Sequence, residues 1–184
     1  MKLNIPNFLT LSRILLIPLI VYLFLSGDTY NRVLVSLLFL LASITDYLDG
    51  FFARYMKQHT DFGAFLDPIA DKMLVIVMLV LLITENNDIF FLIPVLIIIS
   101  REFLVIAIRQ RLAEVGNNHK LSVLFISKIK TTLQLSALFL LLFKESIFDI
   151  NIYQIGIHLL QLASVLTLIS FFYYVKKSWN VIIK

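Results

Sequence analysis

The chain alternates between long apolar stretches and short polar ones. Six stretches consist almost entirely of Leu, Ile, Val, Phe and Ala, and each is about as long as the roughly 20 residues that a helix needs to cross a bilayer. Polar or turn-prone residues such as Ser26, Gly27 and Asp28 separate them. The pattern therefore predicts six transmembrane helices, at residues 8–26, 32–53, 67–84, 89–108, 121–143 and 152–175.

Composition favours a membrane protein as well. Hydrophobic residues make up 60% of the 184 and charged residues 15%, whereas a soluble domain is about half apolar and about a quarter charged. Six helices and their loops use up the chain, so we expect one membrane domain over residues 1–184. The predicted fold class is all-α integral membrane, with a short interfacial segment before the first helix in which Asn7 is a candidate N-cap. The chain has no cysteine, which excludes disulfides, zinc–thiolate sites and thiol catalysis.

The lysines and arginines predict the orientation. If the N-terminus is cytoplasmic and the six helices alternate, only Arg32 and Lys144 of the 16 basic residues fall on the far side. Cytoplasmic loops carry an excess of basic residues, so both termini are predicted to be cytoplasmic. The net charge of +4 then indicates contact with anionic lipid, and we do not expect a nucleic acid as a partner.

Two pairs of acids interrupt the apolar pattern. Asp46 and Asp49 are three residues apart near the end of the second predicted helix, and Asp67 and Asp71 are four apart at the start of the third. Residues three or four apart share a helix face, and a 13-residue cytoplasmic connection makes the two helices antiparallel neighbours. Four carboxylates at one depth repel each other, and divalent cations that prefer oxygen ligands, Mg²⁺ or Mn²⁺, relieve that repulsion. The spacing predicts a metal site.

Structural roles compete with metal binding at these positions. Asp67 precedes a proline, which is the order of an N-cap followed by the first helical residue. Acids at membrane depth also pair with basic residues, here Arg54 or Lys72. Gly50 and Gly63 leave room beside the acids for a bulky polar ligand, or for close packing of two helices. Neither capping nor pairing accounts for all four acids at helical spacing.

The segment around the acids resembles the signature of the CDP-alcohol phosphatidyltransferase family. That signature reads D-x-x-D-G-x-x-A-R-x8-G-x3-D-x3-D, and every specified position is present at the expected spacing. The matching residues are Asp46, Asp49, Gly50, Ala53, Arg54, Gly63, Asp67 and Asp71. Residues 4–13, 63–72, 100–103 and 127–132 are similar to the members of the family that use sn-glycerol 3-phosphate. Ser100 and Ser127 depart from that similarity, because similar sequences often have alanine at the position of Ser100 and glycine at the position of Ser127.

The resemblance implies a transferase that moves the phosphatidyl group of CDP-diacylglycerol to sn-glycerol 3-phosphate and releases CMP. It implies that the four aspartates bind two divalent cations, Mg²⁺ or Mn²⁺, and that Asp71 also takes the proton of the acceptor hydroxyl. The residues implied to bind the CDP-lipid are Asn7, Thr10, Arg13, Asp46, Asp49, Gly50, Ala53, Arg54, Gly63 and Asp67. The implied setting is the bacterial inner membrane with its lipids, with the active site facing the cytoplasm. Relatives are commonly homodimers.

Basic residues on the fourth and fifth predicted helices are candidates for the acceptor's phosphate. They are Arg101, Arg109, Lys128 and Lys130, all toward the cytoplasmic side. An arginine offers a two-pronged fork for phosphate and a lysine a point charge. The alternative is that these side chains extend to the membrane interface.

Two alternative functions stay open at the level of the sequence. Within the family, the acceptor can be inositol, inositol phosphate, serine or phosphatidylglycerol. From a different class, a cation-coupled transporter also has carboxylates inside the membrane. Transporters usually place such acids near the midplane between internal repeats, whereas here the acids lie near one side and no repeat is visible.

Overall fold

The computed structural model describes residues 5–56, 61–114, 125–144 and 151–182. Within these ranges it leaves out the side chains of residues 5–7, 9, 46–56, 61–65, 67, 68, 113, 114, 125, 127, 177 and 180–182. The described residues form six α-helices and no strand, which confirms the all-α prediction. The helices are α1 (Ile5–Leu25), α2 (Thr29–Met56), α3 (Asp61–Ile83), α4 (Ile89–Glu114), α5 (Phe125–Phe143) and α6 (Ile152–Ile182).

The helices α4 and α6 begin at the predicted residues because a capping side chain precedes each of them. Oδ1 of Asp88 accepts a hydrogen bond from the Phe90 N–H at 3.1 Å, and Oδ1 of Asn151 accepts one from the Gln154 N–H, also at 3.1 Å. The first N–H groups of a helix have no partner within the helix, and a side-chain oxygen at this position satisfies one of them. Both helix starts are therefore encoded locally.

The prediction for the connection between the second and third helices is wrong. The helix α2 continues to Met56 and α3 already begins at Asp61, so Arg54 and Gly63 lie within helices. Hydropathy indicates where a helix leaves apolar surroundings. The backbone can remain helical beyond that point, because each further turn still satisfies its own N–H and C=O groups. Asn7 also lies inside α1, so it is not an N-cap.

The chain forms two compact units. The first comprises residues 1–85 and 138–156, and the second comprises residues 86–137 and 157–184. In the first unit, α1 packs against both α2 and α3. Its buried residues recur every three or four positions, as expected for one face of each helix. They include Ile17, Ile20 and Phe24 on α1, Val35, Phe39 and Ala42 on α2, and Leu74, Met78 and Leu82 on α3.

A glycine allows close helix packing within the first unit. Gly156 lies on α6, and a Cβ atom built there would stand 2.9 Å from Cγ of Leu141 and 3.2 Å from the Leu141 backbone nitrogen on α5. A side chain of any size would push the two backbones apart. Small residues at such positions are how helices approach each other closely in membranes.

The second unit has a more polar interior. Its buried polar side chains include Glu102, Lys130 and Gln134, and at its surface Nε2 of Gln161 on α6 donates a hydrogen bond to the Phe90 carbonyl at the start of α4, at 3.2 Å. Three buried hydroxyls of α6, those of Ser164, Thr167 and Ser170, donate to carbonyls three or four residues earlier in the same helix. These bonds satisfy the hydroxyls without a partner helix, so they are compatible with an apolar environment.

The exposed faces of the helices are as apolar as the buried ones. Leu15 is 73% exposed and Phe172 is 66% exposed, and many further Leu, Ile and Phe side chains lie on the surface. Patches of this kind on a soluble monomer are rare, and they indicate contact with lipid. Among the described residues, two helical segments are long and apolar enough to span a bilayer, Ile89–Leu112 and Ile152–Lys176. The chain is therefore membrane-associated, and the predicted number of six spans stays a prediction.

Three charged residues meet at one end of the first unit. Glu85, just after α3, accepts from the Arg32 guanidinium at the start of α2, and its Oε2 lies 3.3 Å from Nζ of Lys144, just after α5. The Arg32 guanidinium also lies over the ring of Phe24, 3.8 Å from its centroid. We refer to Arg32, Glu85 and Lys144 as the Glu85 cluster. It contains both basic residues that the sequence predicts to lie on the non-cytoplasmic side.

Replacing Glu85 with glutamine should destabilise the protein. The Arg32 side chain is only 8% exposed, and leaving a buried charged group without its partner costs more than the roughly 1–3 kcal/mol of a neutral polar group. The midpoint of thermal unfolding in detergent is therefore expected to fall for Glu85→Gln. Lys144→Met is the matched control, because Lys144 is 50% exposed and a solvated ion pair contributes about 0–1 kcal/mol. Equal loss of stability in the two variants would contradict this account.

Candidate active site

The four predicted metal ligands lie on the backbones of two helices. Asp46 and Asp49 are part of α2, and Asp67 and Asp71 are part of α3. The spacing of three and four residues therefore does place each pair on one helix face. Asp67 is the seventh residue of α3, so it does not cap that helix, and the capping alternative is removed. The side chains of Asp46, Asp49 and Asp67 lie outside the described residues.

Asp71 is the one predicted metal ligand whose side chain the structure describes. Its Oδ1 accepts a hydrogen bond and an ion pair from Nη1 of Arg13 on α1. The Arg13 side chain is 2% exposed, whereas the Asp71 side chain is 39% exposed. A buried guanidinium thus contacts a carboxylate that is partly exposed. Arg13 is a partner of Asp71 that the sequence does not predict, and the predicted pairing of the acids with Arg54 or Lys72 stays a prediction, since the Arg54 side chain lies outside the described residues.

The structure describes the side chains of only two of the residues predicted to bind the CDP-lipid. Thr10 and Arg13 are both buried and lie three residues apart on α1, so they share the face that carries the contact with Asp71. This places Arg13 in contact with one of the predicted metal ligands and Thr10 on the same helix face. The side chains of the other predicted CDP-lipid residues lie outside the described part of the chain, namely Asn7, Asp46, Asp49, Gly50, Ala53, Arg54, Gly63 and Asp67.

The chemistry of the four predicted ligands indicates whether they can bind a divalent metal ion. All four predicted ligands are carboxylates, which are hard oxygen donors of the kind that Mg²⁺ and Mn²⁺ prefer. They lie in pairs on helical backbones, a common way of building a metal site from facing helices. The four aspartates are therefore chemically suited to bind Mg²⁺ or Mn²⁺. Among the side chains that the structure describes, no three His, Cys, Asp or Glu residues come together, and three of the four aspartates are not among those side chains.

Two of the predicted acceptor-binding cations meet at a carboxylate in the second unit. Oε1 of Glu102 accepts from Nη1 of Arg101 at 2.9 Å and from Nζ of Lys130 at 2.7 Å. Arg101 and Glu102 lie on α4 and Lys130 lies on α5. We refer to Arg101, Glu102 and Lys130 as the Glu102 cluster. Glu102 is absent from the predicted site, although an acid in an otherwise apolar helix requires a partner and so marks this position in the sequence.

The other two predicted acceptor-binding cations, Arg109 and Lys128, have exposed side chains. Lys128 and Lys130 are two residues apart on one helix, so they point about 200° apart, given about 100° per residue. Only Lys130 can face the interior in that register. The structure thus groups Arg101 with Lys130 and leaves Arg109 and Lys128 on the surface of their helices.

Comparison with known proteins identifies the family. Residues 3–176 match the family model described as CDP-alcohol phosphatidyltransferase. That range contains all six helices except the last turns of α6, so the match covers nearly the whole chain.

Curated relatives are similar over almost their full length. The chain is 40% identical over 173 residues to a protein of Wigglesworthia glossinidia brevipalpis, covering 94% of this chain and 95% of the relative. It is 42% identical over 175 residues to a protein of Pectobacterium atrosepticum, covering 95% and 94%. A protein of Yersinia enterocolitica is 39% identical over 180 residues, covering 98% and 97%. All three are named CDP-diacylglycerol–glycerol-3-phosphate 3-phosphatidyltransferase.

Proposed function

Because the chain belongs to the CDP-alcohol phosphatidyltransferase family, we propose that it transfers the phosphatidyl group of CDP-diacylglycerol to sn-glycerol 3-phosphate. The products are phosphatidylglycerophosphate and CMP. The observation that carries the proposal is the near full-length similarity to relatives that are all named for this reaction. The complete acidic signature on α2 and α3 supports it, since a protein that had lost the activity would have no need of all four aspartates.

In the proposed reaction, a hydroxyl oxygen of the acceptor attacks the phosphorus atom that carries the diacylglycerol. A new P–O bond forms, the P–O bond to CMP breaks, and the hydroxyl proton passes to the carboxylate of Asp71. The exposed fraction of Asp71, 39%, leaves that carboxylate accessible. Arg13 holds the carboxylate from the buried side, which restricts its orientation and so favours proton transfer at a fixed point.

Two divalent cations, Mg²⁺ or Mn²⁺, are proposed to be held by Asp46, Asp49, Asp67 and Asp71. When bound, such ions neutralise the charge that develops on a transferred phosphoryl group. Gly50, Ala53 and Gly63 are proposed to make room for the nucleotide. Its phosphates or base would be held by Arg54, Asn7, Thr10 and Arg13.

The acceptor's phosphate is proposed to bind at the Glu102 cluster, through Arg101 and Lys130. Both side chains are largely buried and cationic, and charge-assisted hydrogen bonds are stronger than neutral ones. Arg109 and Lys128, which are exposed, would add charge near the membrane surface and attract the anionic acceptor.

We further propose one membrane domain over residues 1–184, with six spans, in the bacterial inner membrane, among its lipids. Both termini and the active site would face the cytoplasm, and the protein would act as a homodimer. The Glu85 cluster supports the alternating topology. Residues at the start of α2, after α3 and after α5 must lie at one end if successive helices alternate, and Arg32, Glu85 and Lys144 are in contact.

An acceptor panel tests the proposed function. Purified protein in lipid is given CDP-diacylglycerol, Mg²⁺ or Mn²⁺, and one labelled acceptor at a time: glycerol 3-phosphate, inositol, inositol phosphate, serine or phosphatidylglycerol. We expect CMP release and labelled lipid with glycerol 3-phosphate alone. Product with a different acceptor only would reassign the enzyme within its family. Cation uptake by proteoliposomes without any CMP would instead indicate a transporter.

A further inference from the structure

The carboxylate of the Glu102 cluster connects two helices. A single oxygen, Oε1 of Glu102, accepts from Arg101 at 2.9 Å and from Lys130 at 2.7 Å. The side chains of Arg101 and Glu102 are each 12% exposed, and that of Lys130 is 3% exposed. Glu102 therefore contacts both cations inside the protein, and it belongs neither to the acidic signature nor to the predicted set of cations.

Holding a lysine in one place has a cost. The lysine side chain has four rotatable bonds, and fixing them loses conformational entropy. In this structure the bond to Glu102 has already fixed Lys130 before a ligand arrives. A ligand that then binds loses less entropy than it would with a freely rotating lysine, which is the general advantage of a pre-organised site.

One donor of Arg101 has no acceptor among the described residues. Its Nη1 is directed to Glu102, but its Nε is buried, and no residue in the described part of the chain accepts a hydrogen bond from Nε. Buried donors in folded proteins nearly always have an acceptor. A phosphate oxygen suits this position, because a guanidinium can use one edge for a carboxylate and its remaining donors for phosphate.

If only charge mattered, Glu102 would weaken the binding of the acceptor's phosphate. Two cations and one carboxylate give the cluster a single net positive charge, and Glu102 repels an incoming phosphate. If charge were the main effect, removing the carboxylate would strengthen acceptor binding. If orientation were the main effect, removing it would weaken binding. The direction of the change therefore separates the two roles.

We propose that Glu102 is a positioning residue for the acceptor's phosphate. It holds Lys130 and Arg101 in the orientation in which they bind that phosphate, and it does not contact the acceptor itself. The inference rests on the proposed function, in which the acceptor is phosphorylated. The burial of Lys130, whose side chain is 3% exposed, favours orientation over charge, because the position of a cation at this depth depends on the contacts that hold it there.

The test compares Glu102→Gln and Glu102→Asp with the unaltered protein. Rates of CMP release are measured against glycerol 3-phosphate at saturating CDP-diacylglycerol, and then with the two substrates exchanged. Glu102→Gln should raise the KM for glycerol 3-phosphate about tenfold, with kcat within about twofold and the KM for CDP-diacylglycerol unchanged. Glu102→Asp keeps the charge on a shorter side chain, which cannot hold both cations in the same place, and should raise the same KM about threefold.

Glu85→Gln is the matched control, because Glu85 also accepts from one arginine and one lysine. It is expected to lose stability without any change in the KM for glycerol 3-phosphate. An unchanged or lower KM in folded Glu102→Gln, or an unchanged KM in Glu102→Asp, overturns the proposal, as does a loss confined to kcat. If Glu102→Gln does not reach the membrane, Glu102→Asp decides alone. An unaltered protein that ignores glycerol 3-phosphate refutes the proposed function instead, so the two failures are distinguishable.

Discussion

Replacing Asp71 with asparagine is expected to lower the rate of CMP release about a thousandfold, while the protein still reaches the membrane. Asparagine has the same shape, but it carries no charge and cannot take a proton from the acceptor hydroxyl. General base catalysis alone contributes about a hundredfold to ten-thousandfold. The proposed loss of a metal ligand adds to that. The measurement is CMP release by the purified variant with CDP-diacylglycerol and glycerol 3-phosphate.

Two further variants separate loss of chemistry from loss of structure. Asp71→Glu keeps the negative charge that faces Arg13 but displaces the carboxylate, so it should be stable and still strongly impaired. Asp88→Asn removes an exposed acid whose capping oxygen the amide retains, so its activity should stay within about twofold of the unaltered protein. Full activity of Asp71→Asn would refute the assignment of Asp71, and with it the case for the metal site.

The contact between Arg13 and Asp71 shows why the sequence predicted only part of this site. Helical spacing was sufficient to pair Asp67 with Asp71, because that pairing depends on one helix alone. The contact of Asp71 with Arg13 depends on how α1 packs against α3, across 58 positions of sequence. Neither hydropathy nor spacing contains that information, so the sequence alone favours basic residues on the same two helices as the acids, Arg54 and Lys72.

The ends of the helices were also predicted correctly only where they depend on residues close in sequence. The starts of α4 and α6 are determined by Asp88 and Asn151, whose caps involve neighbours two or three residues away. They were predicted correctly. The end of α2 and the start of α3 were not, because the residues there are polar enough to resemble a loop and yet continue the helices to Met56 and from Asp61. Hydropathy indicates which part of a helix lies in apolar surroundings, whereas the length of the helix depends on its backbone hydrogen bonds.

The charged residues that the sequence groups together are in contact at one cluster and are separated at another. The sequence placed Arg32 and Lys144 together as exceptions, and the structure joins both to Glu85. It also grouped four cations as candidates for the acceptor's phosphate, but only Arg101 and Lys130 share a carboxylate. A count of charges cannot separate buried cations from exposed ones. The angle between Lys128 and Lys130 along a helix could have done so.

Replacing Lys130 with methionine is expected to raise the KM for glycerol 3-phosphate about tenfold to a hundredfold. Methionine fills a similar volume without the charge. A hydrogen bond to a charged group contributes about 1.5–3 kcal/mol, and each 1.4 kcal/mol corresponds to a tenfold change in affinity. The KM for CDP-diacylglycerol should not change, because the ammonium group is proposed to contact only the acceptor. Initial rates of CMP release at varied concentrations of each substrate measure both constants.

Lys128→Met provides the matched comparison, since it removes the same charge two residues earlier on α5. Lys128 is exposed, whereas Lys130 is 3% exposed and bonded to Glu102. Long-range attraction from an exposed charge is weakened by salt, so the KM should rise at most about threefold in this variant, and less at high ionic strength. Equal effects of the two substitutions would mean that the cations act only through total charge, and the Glu102 cluster would then not be the acceptor's binding site.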